Sequence, residues 1–166
     1  MQQPEAGRPA AGQLEDIRYL PRDAAVIETV ARWHYAEWGR LTGRTVPMRI
    51  AELEPQAESR RIPLTVVAFL AGVPVGSASL LAEDMHTHSD LTPWLASVCV
   101  QSEYRRRGIG ERLCRRIVAE ARRLAVPRMY LFTVDQAPFY ARMGWLTLGE
   151  ETYRGETVTL MRLELD

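Results

Sequence analysis

The chain has 166 residues, 46% hydrophobic and 25% charged, the balance of an ordinary globular domain with room for a buried core. Twenty-one basic residues meet twenty-one acidic ones, which excludes a polybasic, histone-like protein. All the basic residues are Arg, so Lys Schiff-base chemistry and a Walker-A phosphate loop are both excluded, because each needs the Lys amine.

Residues 1–12, rich in Pro, Gly, Ala and Gln, read as a frayed tail, and 13–166 as a single domain. Residues 14–20 alternate loosely and predict a first strand, stopped by Pro21. A helix opens at Arg22 or Asp23 and runs to Trp38, with Val26, Ile27, Val30, Trp33 and Trp38 on its apolar stripe; Gly39 and Gly43 are expected to end it. A more charged helix over 45–61 carries Met48, Ile50 and Leu53. Residues 64–70 are β-branched and apolar, Ala71-Gly72 is a turn, and 73–81 complete a hairpin. The polar stretch 83–92, holding Asp84, His86, His88 and Asp90, is read as a loop. The unbroken apolar run 94–100 predicts a strand buried on both faces.

Residues 108–125 give the strongest helix. Ile109, Leu113, Ile117, Ala121 and Leu124 share one stripe, and the Arg residues take the opposite face. A buried strand over 129–134 follows, then a short helix capped by Asp135, with Pro138 in its first turn and Gly144 closing it. Strands over 145–148 and 157–165 end the chain. The order β-α-α-β-β-β-α-β-α-β-β, without a repeat, predicts one mixed α/β domain. No apolar run approaches the ~20 residues that span a bilayer, and the N-terminus lacks the apolar core of a signal peptide. The expectation is a soluble, cytoplasmic protein. Cys99 and Cys114 give neither a disulfide framework nor zinc spacing, so no metal is expected.

Charge is uneven. Residues 105–128 hold nine Arg against Glu111 and Glu120, a net +7 that leaves −7 elsewhere. A local positive field in a neutral chain suits a small anionic ligand; a solvated Arg face and a nucleic-acid surface are the competing readings. The nucleic-acid reading lacks aromatic residues interleaved on that helix, and the acidic remainder would repel a phosphate backbone.

The segment S-V-C-V-Q-S-E-Y-R-R-R-G-I-G-E-R-L is the most informative. A buried strand ends at Val100, and Gly108 and Gly110 open the helix after a short turn. Glycine lets backbone approach a ligand, the helix start offers unpaired N–H groups, and Arg105, Arg106 and Arg107 add charge. Those are the parts of a pyrophosphate cradle. A Rossmann fingerprint does not fit, because Leu113 stands where a third small residue is needed and the turn follows the fourth strand, not the first.

The arrangement resembles the Gcn5-related N-acetyltransferase family, whose motif Arg/Gln-x-x-Gly-x-Gly/Ala is matched by Arg105, Gly108 and Gly110. F-Y-A-R-M-G-W at 139–145 is similar to the family's second signature, and the likeness spans roughly 14–165. It implies a central, mostly antiparallel mixed sheet with splayed fourth and fifth strands, flanked by helices. It also implies acetyl-CoA as co-substrate, lying in that splay. Backbone groups of Val98, Cys99 and Val100 would pair with the pantetheine, and amides of Arg105, Arg106, Arg107, Gly108, Ile109 and Gly110 would hold the pyrophosphate. T-V-D-Q at 133–136 resembles a branch with actin N-terminal acetyltransferases, which makes Gln136 a cofactor ligand. Tyr140 occupies the position of the acid that protonates the departing thiolate. A phenol with pKa roughly 10 is well matched to that task.

The base is left open among His86, His88, Asp90, Glu37 and a water relay through Ser97, because the strand W-L-A-S-V-C-V holds no carboxylate. His86-x-His88-x-Asp90 is weak as a metal site. Cys99 as a covalent acyl carrier is weighed and set below direct transfer in a ternary complex, since buried Cys behaves as a small apolar residue. Trp33 with Glu37 and His34 with Trp38 share helix faces, either as an amine-binding surface or as core. The expected activity is transfer of an acetyl group to a primary amine on a small molecule or peptide. An acyl-CoA sensor without turnover is the alternative, and a homodimer stays open.

Overall fold

The computed structural model describes residues 16–166; the expected tail, 1–12, and positions 14 and 15 of the expected first strand lie outside the described residues. Strands β1 (Asp16–Tyr19), β2 (Leu64–Leu70), β3 (Val73–Leu81), β4 (Trp94–Val100), β5 (Arg128–Thr133), β6 (Leu146–Tyr153) and β7 (Glu156–Glu164) form one sheet in the order β1-β2-β3-β4-β5-β7-β6. Every neighbouring pair is antiparallel except β4 and β5. Helices α1 (Ala24–Thr42), α2 (Val46–Leu53), α3 (Ile109–Arg123) and α4 (Ala137–Ala141) flank it. This is the mixed sheet with a splayed fourth and fifth strand that the family resemblance implied.

β2 explains the layering. Leu64, Val66, Ala68 and Leu70 point to one face, where Ile109, Leu113, Ile117 and Ala121 of α3 close the main core. Val67 and Phe69 point to the other, beneath Ile27, Val30 and Ala31 of α1 and Leu53 of α2. Each fully buried Leu or Ile contributes roughly 1.5–3 kcal/mol, so α3, with Leu113 and Ile117 at 0% exposure, is firmly anchored. Its polar side is tied down as well. Buried Glu120 accepts hydrogen bonds from Tyr19 (2.9 Å), Arg116 (3.2 Å) and Arg123 (2.8 Å), joining α3 to β1.

Several element ends differ from the sequence expectation, each for a local reason. Asp23 caps α1, its Oδ1 accepting from the Ala25 N–H at 2.9 Å. Gly39 does not end that helix; it is buried inside it, where a Cβ would come within 2.5 Å of the Tyr35 ring. Gly43, at φ +69°, makes the stop. The second helix ends at Leu53 instead of Arg61, because Pro55 has no N–H to continue the ladder and a 3₁₀ turn over Glu54–Gln56 follows. Gln136, not Asp135, stands at the N-cap of α4, its N–H held by Thr133 Oγ1 at 3.0 Å. β6 extends to Tyr153 instead of Leu148, because its backbone pairs with β7 as far as a two-residue turn at Arg154 and Gly155.

Candidate active site

β4 and β5 share a single registered pair, Trp94 with Tyr130, and diverge beyond it. A bulge in β4 accompanies the divergence. Ala96 faces Ser79 and Cys99 faces Ser77, so Ser97 and Val98 oppose Ala78 alone, with Ser97 at φ +52°. The wedge opens into a cleft of about 1390 Å³, and Val98, Cys99, Val100, Arg105, Arg106, Gly108, Ile109, Gly110, Gln136 and Tyr140 all line it. Ten of the residues singled out from the sequence thus meet in one place. Arg107 is not among the lining residues; its guanidinium lies over the Tyr104 ring, 5.6 Å from the centroid.

Gly108 adopts φ +77° at the N-cap of α3, a conformation that disfavours any side chain. Gly110 has no such need within the protein. A Cβ there would make only ordinary contacts, 3.8 Å to Val100 and 3.9 Å to Phe139, so its bareness leaves space on the cleft side. Arg105 turns back to the protein: Nε donates to the Val100 carbonyl at 2.9 Å and Nη2 reaches Glu37 Oε1 at 3.3 Å. One of the three expected β4 partners therefore already has a donor on its carbonyl. On the far side of α3, Arg115 is engaged by Glu111, Arg116 by Glu120 and the Ile17 carbonyl, and Arg123 by Glu120 and the Arg60 carbonyl. Much of the Arg face is structural.

Tyr140 packs its ring edge-on against Phe139 and Trp145, at 5.0 and 6.2 Å, with its hydroxyl in hydrogen-bonding reach of the Cys114 thiol. Burial, then the neighbouring thiol, pushes the phenol well above its ordinary range. The hydroxyl is thus a neutral donor and a weaker acid than a free phenol. Burial also pushes the Cys99 thiol up to about 11 and the Cys114 thiol up to about 12, so neither is a thiolate nucleophile.

The residues proposed as base separate. His88 and Asp90 do not line the cleft, and His88 is held by Glu151 at 2.9 Å. His86 lines it, with Nδ1 bonded to the Tyr153 hydroxyl at 2.9 Å, and so does Glu37, paired with Arg105. Ser97 lines it at the bulge. His34 is core-like: 2% exposed, 3.1 Å from Ser77 Oγ and pushed down to about 3 by burial and then by the charge of Arg49. Trp38, edge-on to His34 at 5.7 Å, lines the cleft; Trp33 packs in the α1 core.

Asp84, given no role by the sequence, also lies in the cleft, with Arg44, Arg49 and Glu52 of the α2 region and Arg154 of the β6–β7 turn. Burial pushes its carboxyl up to about 7 against the opposing pull of Arg49 and Arg154. The only sequence cue was its place between an apolar strand and Met85, which is fully buried. Among the described residues, no group of three or more His, Cys, Asp or Glu is arranged to hold a metal ion, and no helix is long and apolar enough to cross a membrane.

The model of the acetyltransferase (GNAT) family matches residues 25–145. The chain belongs to the acetyltransferase (GNAT) family. Solved structures share this GNAT fold at low identity. The protein yncA of Salmonella typhimurium, solved with acetyl-CoA, is 21% identical with a TM-score of 0.70, covering 91% of this chain and 94% of that one. An aminoglycoside 6'-N-acetyltransferase complexed with coenzyme A is 15% identical with a TM-score of 0.71, covering 90% and 96%. Ard1 from Thermoplasma volcanium is 18% identical with a TM-score of 0.68, covering 90% and 97%. No curated protein matches the chain significantly in sequence.

Proposed function

We propose that this GNAT protein is an acetyl-CoA-dependent N-acetyltransferase that moves an acetyl group to a primary amine by direct attack in a ternary complex. The observation that carries the reading is the convergence of the β4 edge, the bare Gly108–Gly110 start of α3 and Tyr140 on one cleft. The solved complexes of yncA with acetyl-CoA and of the aminoglycoside enzyme with coenzyme A support it.

The open edge of β4 beyond the bulge offers the backbone groups of Val98 and Cys99 to an extended pantetheine, with Val100 beside them. The amides from Arg105 to Gly110 face a pyrophosphate, favoured by the positive end of α3. Gln136 lies on the opposite lip as a further polar contact. A backbone N–H on the bulged strand serves as donor to the oxyanion. Tyr140 donates its proton toward the departing thiolate. Burial keeps the phenol protonated but makes it a weaker acid than the free phenol expected from the sequence, so the role rests on its place in the cleft. With both thiols protonated, a covalent acyl-Cys route through Cys99 is disfavoured, which supports direct transfer.

A thermal-shift titration with acetyl-CoA, CoA, ATP and NAD in parallel tests the reading. A ligand at a hundred times its Kd stabilises by ~2.7 kcal/mol, a rise of several degrees. Stabilisation by both CoA species but not by ATP or NAD is expected, followed by CoA release with an amine that falls in Tyr140→Phe. Binding without turnover of any amine would indicate a sensor. No binding by either CoA species overturns the reading.

A further inference from the structure

We propose that Asp84 is the residue that receives the acceptor's ammonium group and takes its first proton. The inference rests on the acetyl-transfer reading for the reaction, but its footing is the far end of the cleft, away from the glycine turn. Asp84 follows β3, in the segment where the chain crosses toward β4. Its neighbour Met85 is sunk at 0% exposure among Trp94, Tyr130 and Tyr153, which pins the segment in place. The carboxylate is partly buried and lines the cleft, yet among the described residues it makes no hydrogen bond and no ion pair.

Its surroundings make that unusual. Arg44 and Arg49 are both committed to Glu52, and Arg154 donates to the Leu41 carbonyl at 3.2 Å. His86 is turned to the Tyr153 hydroxyl, and Glu37 to Arg105. Arg44, Arg49, Arg154, His86 and Glu37 thus each have a protein partner, and Glu83 and Glu156, which also line the cleft, are exposed where Asp84 is half-buried. A half-buried carboxylate that faces the cleft with no protein donor leaves its oxygens free for a ligand's donors. A primary ammonium supplies three. The guanidiniums of Arg49 and Arg154 sit near enough to favour the ionised form, while burial opposes it, which holds the group poised near neutrality and not permanently charged.

The chemistry then balances. The ammonium passes one proton to the Asp84 carboxylate and becomes a neutral amine. Its nitrogen attacks the thioester carbonyl carbon, so a C–N bond forms and the carbonyl oxygen takes the electron pair. The C–S bond breaks as that pair returns, and the sulfur leaves with the C–S electrons. Tyr140 protonates the sulfur and is reprotonated by the second N–H proton through solvent. Asp84 loses its proton to water.

The test uses the full chain and its Asp84→Asn variant, with ethanolamine, glycinamide, spermidine and kanamycin as acceptor probes and release of the CoA thiol as readout. The thermal shift with CoA, unchanged in the variant, certifies a folded protein and an intact cofactor site. The expected result is turnover of at least one probe by the wild-type chain and a fall of about 100-fold or more in kcat/KM for Asp84→Asn. The rise of kcat/KM through about pH 7, present in the wild-type chain, should vanish in the variant. Asp84→Glu should recover part of the rate. A variant within threefold of wild type at pH 7, or a persisting pH 7 limb, overturns the assignment. A wild-type chain that binds CoA but turns over none of the probes overturns the assignment together with the acetyl-transfer reading it rests on. Failure of both proteins to bind CoA would instead sink the acetyl-transfer reading itself.

Discussion

The two ends of the cleft are built from different material. Around the glycine turn the surface is mostly main chain: the β4 edge freed by the bulge, and the amides opening α3 at Gly108 and Gly110. At the other end it is side chains brought from separate elements: Arg49 and Glu52 from α2, Asp84 from the crossing after β3, Arg154 from the β6–β7 turn. Backbone surfaces tolerate change in side-chain identity and fail when atoms are added. Side-chain surfaces behave in the opposite way, and that is where one GNAT protein can differ from another in what it accepts.

The contrast breaks most sharply at Tyr140, where a single hydroxyl is asked to act. Tyr140→Phe should lower kcat by about 100-fold while the CoA-induced thermal shift is retained; a loss of binding instead would make Tyr140 a packing residue of the cofactor wall. Next is Gly110→Leu. A Cβ at this position would meet nothing closer than 3.8 Å, so the chain should still fold, with its CoA-free melting temperature as the control, while CoA affinity drops about tenfold or more, a cost of ~1.4 kcal/mol. By titration, Arg106→Ala on the same wall should change that affinity by less than this.

Stability effects sharpen the comparison further. Burial works to raise Glu120, but hydrogen bonds from Arg123, Tyr19 and Arg116 outweigh it and hold the carboxyl below its usual range. Its contribution is therefore present above the unfolded value of about 4.3 and fades as pH falls below it. Glu120→Gln should cost about 1–2 kcal/mol in denaturant unfolding at pH 7, discounted because the Arg partners are partly exposed, and less at pH 3. Asp84 has the opposite sign. Raised to about 7 in the folded state from about 3.9 in the unfolded chain, it binds its proton more tightly when folded, so stability falls as pH rises through that window. The advantage of Asp84→Asn over wild type in melting temperature should grow between pH 4 and pH 7 and then level off. The smallest effect belongs to Arg105→Ala. Its pair with Glu37 and its hydrogen bond to the Val100 carbonyl are both exposed and together worth about 1 kcal/mol, so a shift of only a few degrees in melting temperature is expected.

The same contrast governs how much could be read from the sequence. The glycine-turn end was legible because glycine at Gly108 and Gly110, a helix start and a preceding apolar strand are local signals. The bulge was not: nothing in W-L-A-S-V-C-V marks Ser97 for φ +52°. β6 was read too short because Leu146 through Glu150 are all exposed, so no alternation betrays a strand that exists through its hydrogen bonds to β7. Asp84 was passed over because its burial depends on α2 and on a hairpin turn about seventy residues later in the chain, and no spacing rule reports such a meeting. Asp90, offered as a base for its place in the same loop, stands outside the cleft.

The single pairing of Trp94 with Tyr130 has a mechanical side. The Trp94 ring, at 0% exposure and 5.8 Å from Tyr130 and 6.4 Å from Phe132, is the pivot pin of a pair of callipers whose jaws are β4 and β5. A small rotation at a pin is magnified at the jaw tips. A residue that touches no reacting atom thus sets the gauge of the cleft, and reshaping the pin would retune every distance across it at once.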